Sequence, residues 1–151
     1  MKRPISELLQ KAGFLVHTSP TTSVADAVEV MSEHNIGAIV VLENKTSLAG
    51  IFTERDVMRR VVNEGRDPVT TPVREVMTED VIVVPEDMAR SDALQIMQEE
   101  HIRHLPVSDG ESLSGLVSLR DLLRFEHKMQ QRTIEQLRDF VIKKPYPKYP
   151  G

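Results

Sequence analysis

The residues best suited to chemistry lie in two short segments of similar sequence, GIFTERD at 50–56 and GLVSLRD at 115–121. In each segment a hydroxyl residue, Thr53 or Ser118, is followed three positions later by an aspartate, Asp56 or Asp121. The pattern predicts a strand that ends at the hydroxyl residue and a helix that begins there. The simplest interpretation is structural, because this spacing is close to a capping box, which contributes about 1 kcal/mol to helix stability.

The same corner could also bind a nucleoside phosphate. The start of a helix presents unpaired N–H groups that favour a phosphate, and the hydroxyl adds a further donor. A carboxylate one turn later can accept both hydrogens of a ribose 2′,3′-diol. A single match of this kind is weak evidence, but here it occurs twice, each time after a Gly-apolar-apolar strand. The residues alone leave capping and nucleotide binding both open.

An internal repeat positions the two corners. Residues 26–31 (DAVEVM) recur as 92–97 (DALQIM), and residues 36–41 (IGAIVV) recur as 102–107 (IRHLPV), both at an offset of 66. The segments 48–56 and 113–121 match at an offset of 65. Each copy has about 60 residues and is too small to bury a good core by itself, so the two should form one pseudo-symmetric domain.

Each copy has the pattern β-α-β-β-α. The predicted strands are 14–16, 38–42 and 48–52, then 81–84, 104–107 and 113–117; the predicted helices are 24–34, 54–62, 88–101 and one from 119 onward. The fold class is therefore α+β (α/β), with two halves packed through their sheets and a C-terminal helix. We divide the chain into 4–66, 67–125, a helix at 126–142 and a Pro-rich extended tail at 143–151. The sparse apolar stripe of that helix is expected to pack on the domain or on a second subunit.

Composition and missing motifs argue against several classes of function. There is no cysteine, the net charge is −4 and aromatic residues are only 4%, so neither thiol chemistry nor nucleic-acid binding is expected. No apolar segment is long enough to span a bilayer, and no secretory signal is evident, which predicts a cytoplasmic protein without a membrane partner. A P-loop and a GxGxxG motif are absent. His101 and His104 lie close to Glu99 and Glu100, but a helix is expected to end between the histidines. We therefore predict no catalytic residues and no metal site.

The tandem copies resemble a pair of CBS motifs, also called a Bateman module. The resemblance covers residues 4–125 and is carried by GIFTERD, GLVSLRD, IGAIVV, IRHLPV and the helices before them. It is similar to the stand-alone bacterial and archaeal members of that family. It implies a non-catalytic sensor that binds AMP, ADP, ATP or S-adenosylmethionine between its halves, forms a homodimer and signals by a conformational shift to a regulated protein.

The resemblance also implies two ligand clefts. The first cleft would contain Thr53, Asp56, Arg103, His104, Ile82 and Arg120; the second cleft would contain Ser118, Asp121, Gly37, Ala38, Val16 and Arg55. The cationic side chains of the first cleft suit two or three phosphates. The second cleft, with Gly37 and Ala38, should have room but little charge, so we expect phosphorylated nucleotides to prefer the first. The alternative is a ligand-free scaffold for oligomerisation or partner docking, in which both corners are only helix caps.

Overall fold

The two repeats form two three-stranded mixed sheets with the same topology. The computed structural model describes residues 3–9 and 15–143. One sheet contains β1 (His17–Thr18), β2 (Ala38–Glu43) and β3 (Ser47–Thr53); the other contains β4 (Val84–Pro85), β5 (His104–Ser108) and β6 (Leu113–Ser118). In each sheet the middle strand is parallel to the first strand and antiparallel to the third. The helices are α1 (Ser6–Leu9), α2 (Val24–Glu33), α3 (Glu54–Asp56), α4 (Arg90–Glu99) and α5 (Leu119–Lys143). The predicted α+β fold is confirmed.

The opening strand of each sheet lies later in the chain than predicted. β1 is His17–Thr18 rather than 14–16, and β4 is Val84–Pro85 rather than 81–84. Residue 14 lies outside the described residues. Both strands are only two residues long, because pairing with the middle strand is confined to His17 and Thr18 in one sheet and to Val84 and Pro85 in the other. β-Propensity predicted the strands at the apolar residues, but pairing with the middle strand determined which residues form them.

The helices also differ from the prediction in their boundaries. The predicted helix at 54–62 begins as α3 and continues as a π-helix, Val57–Val62, in which the N–H of Asn63 donates to the carbonyl of Met58. Helix α5 runs without a break through 125–126, where we placed the end of the second repeat. The predicted tail lies outside the described residues from 144 onward.

Each repeat has its own apolar core. Helix α2 buries Val24, Ala27 and Met31 along one face, and Ile39 and Val41 of β2 pack against it. The second repeat repeats this arrangement with Ala93, Met97, Leu105 and Val107, together with Val117 and Leu122. Val40 is fully buried although strand alternation points it away from the first core, so both faces of β2 are covered. This burial on two faces explains the continuous apolar run at 38–42.

The segment that precedes each repeat packs on the other repeat. Ile5 belongs to the second core, and its N–H donates to the carbonyl of Met88 (2.9 Å). In the same way Val73, Val76 and Met77 belong to the first core, and the N–H of Val73 donates to the carbonyl of Thr22 (2.8 Å). The first core therefore extends past residue 66, and the crossing segments hold the two repeats together.

Gly50 and Gly115, which occupy equivalent positions in the two repeats, leave room for these crossing segments. A Cβ on Gly50 would lie 2.6 Å from the carbonyl oxygen of Thr78, whose backbone makes two hydrogen bonds with Ile51. A Cβ on Gly115 would lie 2.6 Å from Cδ2 of Leu9. Each glycine thus provides space for a close contact, with rigid backbone at the first and with the end of a flexible side chain at the second.

A buried arginine joins two helices of the second repeat, α4 and α5, to the crossing helix α1. Arg90 at the start of α4 is only 5% exposed, and its guanidinium lies 4.0 Å from the centre of the Phe125 ring. It also pairs with Glu7 of α1 at 3.4 Å and with Glu126 of α5 at 3.5 Å. Arg90 therefore links the crossing segment α1 to the base of α5.

Candidate functional site

The Thr53 corner forms a complete capping box. The Thr53 hydroxyl accepts from the N–H of Asp56 (3.3 Å), and Oδ2 of Asp56 accepts from the Thr53 N–H (3.1 Å) and hydroxyl (3.2 Å). The hydroxyl of Thr78 donates to Oδ1 of Asp56 (3.3 Å), and Arg60 Nε lies 3.7 Å from the same oxygen. Asp56 is 6% exposed. Its carboxylate is thus engaged by the protein on both oxygens.

The Ser118 corner is only half of this arrangement. The Ser118 hydroxyl accepts from the N–H of Asp121 (3.0 Å), as an N-cap should. Asp121 is exposed, and within residues 3–9 and 15–143 its carboxylate has no hydrogen bond or ion pair. The two aspartates are equivalent in sequence, but only Asp121 presents its carboxylate to solvent.

The starts of β2 and β5 lie beside these helix starts. The N–H of Glu54 donates to the carbonyl of Gly37 (3.0 Å), and the N–H of Leu119 donates to the carbonyl of Arg103 (2.8 Å). In the strand register Ala38 pairs with Thr53, and His104 pairs with Ser118. Each hydroxyl corner therefore adjoins the β-strand start of its own repeat, whereas the predicted clefts paired it with the strand start of the other repeat.

The side chain of Arg55 makes a polar contact between the two repeats beside these helix starts. Nη1 of Arg55 donates to the carbonyl of His101 (3.4 Å), so the first turn of α3 reaches the end of α4. Arg55 also lines a cavity of about 350 Å³ whose other walls come from the second repeat: Met97, Gln98, His101, Ile102, Arg103 and Leu119. Arg55, assigned to the second cleft, shares this cavity with Arg103, assigned to the first. The cavity is therefore lined by two arginines and a histidine beside the start of α5.

Near the other strand start, a carboxylate occupies the space that we expected to be open. A Cβ on Gly37 would lie 3.2 Å from Cδ of Glu54, so the Glu54 carboxyl group lies directly over Gly37. Sequence reasoning did not select Glu54. The signal was present, because an offset of 65 aligns Glu54 with Leu119 and replaces an apolar residue with a charged one.

His104 lies between these charged groups. Burial lowers its pKa below the ordinary value of 6.5, the Glu54 and Asp121 carboxylates oppose this shift, and Arg103 adds to it. His104 is therefore held neutral near pH 7, where a ligand with negative charge would favour its protonation.

Three other predicted site residues, Val16, Ile82 and Arg120, are not among those that line the cavity. Val16 precedes β1 and packs, half-buried, against the first core, while Ile82 is 37% exposed two residues before β4. Arg120 is exposed on the first turn of α5. Among residues 3–9 and 15–143, no three His, Asp or Glu side chains are grouped so that they could hold a metal ion. In the same part of the chain, every helix is too short or too polar to cross a membrane.

Comparison with known proteins identifies the repeats. The family model described as CBS domain matches residues 5–63 and 73–128. An uncharacterised protein of Methanopyrus kandleri is 36% identical over 123 residues, which are 81% of this chain and 63% of that protein. A mitochondrial CBS domain-containing protein of Arabidopsis thaliana is 36% identical over 79% of this chain and 60% of its own length. The chain thus spans less than two thirds of either relative. The crystal structure of a CBS-domain containing protein from Agrobacterium tumefaciens superposes with a TM-score of 0.76, at 29% identity, over 82% of this chain and 98% of that one.

Proposed function

The chain belongs to the CBS-domain family, and we propose that it is a non-catalytic module that binds an adenosine nucleotide, AMP, ADP or ATP, between its two repeats. Paired CBS domains are typically regulatory and bind ligands. The observation that carries the proposal is the cavity in which Arg55 of one repeat meets Arg103 and His101 of the other. Helix capping requires none of these three side chains, whereas a phosphate chain would use all of them.

The residues assign a part of the nucleotide to each wall. The phosphates would contact Arg55 and Arg103, the two arginines that line the cavity. The ribose diol would bind an aspartate carboxylate. Asp121 is exposed and can accept at once, whereas Asp56 must first exchange a bond that it receives from Thr78. The adenine ring would lie against the backbone near Val16 and Ile82, which precede β1 and β4.

That exchange suggests how occupancy could produce a signal. Thr78 is part of the segment that crosses from one repeat to the other, and it bridges to Ile51 of β3. Arg60 holds the same segment, because its Nη1 donates to the carbonyl of Met77 (2.6 Å). A ribose hydroxyl that replaced the Thr78 hydroxyl at Asp56 would remove one of the hydrogen bonds that hold this segment to the first repeat. Binding would then shift the equilibrium between two arrangements of the repeats, provided that the ligand prefers one of them.

We also propose that the module forms a homodimer through its exposed apolar helix positions. Met58 and Leu123 are equivalent in the two repeats, and they are 57% and 52% exposed. A two-fold axis between two copies would bring such a repeated patch onto itself. Light scattering on wild type and on a Met58→Glu, Leu123→Glu double variant tests this; an unchanged mass for the variant contradicts the interface.

A ligand-free scaffold is the second candidate, and one observation favours it. Asp56, Thr53 and Thr78 satisfy one another, so the first corner is complete as a structural unit without a ligand. In that case the exposed patch at Met58 and Leu123 would be the functional surface.

Thermal unfolding with AMP, ADP, ATP and S-adenosylmethionine, each beside GTP, separates the two candidates. A ligand at about 100 times its Kd adds roughly 2.7 kcal/mol, which raises Tm by about 5–10 °C for a chain of this size. We expect an adenosine compound to produce such a shift and GTP not to. Arg103→Ala should reduce the Tm shift caused by ATP more than the control Lys45→Ala does. Lys45→Ala removes an exposed cation in the turn between β2 and β3. No shift with any compound would leave the scaffold as the better description.

A further inference from the structure

The cavity lined by Arg55 and Arg103 and the region around Gly37 in the first repeat are built from equivalent backbone positions. We call the cavity the first mouth and the region around Gly37 the second mouth, because this grouping differs from that of the predicted clefts. The N–H of Ile102 donates to the carbonyl of Met97, and the N–H of Ile36 donates to that of Met31, both at 3.0 Å. The residue before each isoleucine, His101 or Asn35, has a positive φ of 54° or 51°. The bonds Leu119–Arg103 and Glu54–Gly37 described above complete the correspondence. The chain therefore presents the same frame twice.

The side chains on this frame differ in charge. In the first mouth the positions are occupied by His101, Arg103 and Leu119, and Arg55 projects over them; in the second the equivalents are Asn35, Gly37, Glu54 and Arg120. Counting formal charges with neutral histidine gives +2 for the first set, from Arg55 and Arg103. The second set sums to zero, because Glu54 offsets Arg120. The difference arises at two positions, where Gly37 replaces an arginine and Glu54 replaces a leucine.

Glu54 lies where it would meet a ligand of the second mouth. Its N–H donates to the carbonyl of Gly37 (3.0 Å), and its carboxyl group lies over that residue. It also acts electrostatically on His104 of the other repeat. A phosphate placed over Gly37 would therefore bring its negative charge close to the Glu54 carboxylate.

We propose that Glu54 determines the charge of the ligand in the second mouth: it disfavours nucleoside di- and triphosphates and admits adenosine compounds whose 5′ substituent is neutral or positive. The inference rests on the proposed function and specifies its ligand class. Adenosine and S-adenosylmethionine, which has a sulfonium centre at this position, meet the requirement. ATP fits the first mouth, which is lined by two arginines.

The test is isothermal titration of the full chain with ATP, adenosine and S-adenosylmethionine before and after Glu54→Gln. Glu43→Gln, which removes an exposed carboxylate at the end of β2, is the matched control. A unit charge some 6–8 Å away at an effective dielectric near 20 changes affinity by about thirtyfold to a hundredfold without salt. Screening in 0.1 M salt reduces this to about fivefold to fifteenfold. We expect Glu54→Gln to tighten ATP at a second site per chain by at least about fivefold, to weaken S-adenosylmethionine comparably and to change adenosine by less than about twofold. Glu54→Lys should act in the same direction and more strongly.

The outcomes distinguish this inference from the function on which it rests. If the three compounds bind and Glu54→Gln alters their relative affinities no more than Glu43→Gln does, the role of Glu54 is refuted while nucleotide binding stands. If none of the compounds binds to wild type or to either Glu54 variant, the proposed function fails and the inference fails with it. Loss of the Glu54 effect in about 0.5 M salt would support its electrostatic origin.

Discussion

Replacing Asp56 with alanine would remove a buried carboxylate that connects the end of β3, the start of α3 and the segment crossing between the repeats. The variant loses the bonds from the Thr53 N–H (3.1 Å) and from the Thr78 hydroxyl (3.3 Å), together with the contact to Arg60. A cap is worth about 1 kcal/mol and a hydrogen bond to a charged group about 1.5–3 kcal/mol. Because water can replace some of these bonds at a half-buried corner, we expect a loss of about 2–4 kcal/mol in the free energy of unfolding.

Asp121→Ala is the internal control, since it makes the same change at the equivalent position. The Asp121 carboxylate is exposed and has no described protein partner, so the variant loses little beyond a favourable charge at a helix start, about 0.5 kcal/mol. Asp56→Asn should be intermediate, because one oxygen acceptor is retained. Urea unfolding without ligand, monitored by circular dichroism, measures the change in unfolding free energy for the three variants. The dependence of that free energy on urea concentration should be the same for all of them. Equal losses for Asp56→Ala and Asp121→Ala would refute the assignment of a structural role to Asp56 alone.

Three further predictions concern the packing of two glycines, a buried arginine and the half-buried His104. Gly50→Ala should cost at least about 2 kcal/mol, since the new Cβ meets a backbone carbonyl, whereas Gly115→Ala meets a movable leucine and should cost about half as much or less; similar urea midpoints would contradict this. Arg90→Ala should cost about 2–3 kcal/mol by removing the contact with Phe125 and two ion pairs, while Arg90→Met should recover part of the loss; equal stabilities would show that the arginine stem contributes nothing. Because the pKa of His104 is lowered in the folded state, the unfolded chain binds its proton first as pH falls below 6.5, so stability should decrease there. That decrease should be smaller in His104→Asn; an identical pH profile of the unfolding free energy would refute it.

The repeat and its hydrophobic pattern predicted most of the fold. The apolar positions Val24, Ala27 and Met31 recur at helical spacing and are the buried face of α2. The continuous run at 38–42 is buried throughout in β2. The two-residue strands β1 and β4 were misplaced, because such short strands exist only through pairing with a neighbour. The crossing of Ile5 and Val73 to the opposite cores is likewise a long-range choice that no local pattern encodes.

The candidate site divides in the same way. Thr53 and Ser118 were expected to cap helices from spacing alone, and both do. Their aspartates looked equivalent in sequence, yet Thr78 and Arg60 reach only Asp56, from 22 and 4 residues along the chain. The side of the cleft on which Arg55 lies, and the covering of Gly37 by Glu54, also depend on contacts between separate elements.

By itself, therefore, the sequence determined what depends on near neighbours: two copies of one β-α-β-β-α unit, their capped corners and the residue types available at each cleft. Periodicity and caps act over one or two turns, and the repeat makes each local signal visible twice. The tertiary structure alone decided which carboxylate is buried, which arginine meets which repeat and which cleft mouth is cationic. These properties depend on distances between residues far apart in the chain, and burial or charge at such distances is set only when the two repeats have packed together.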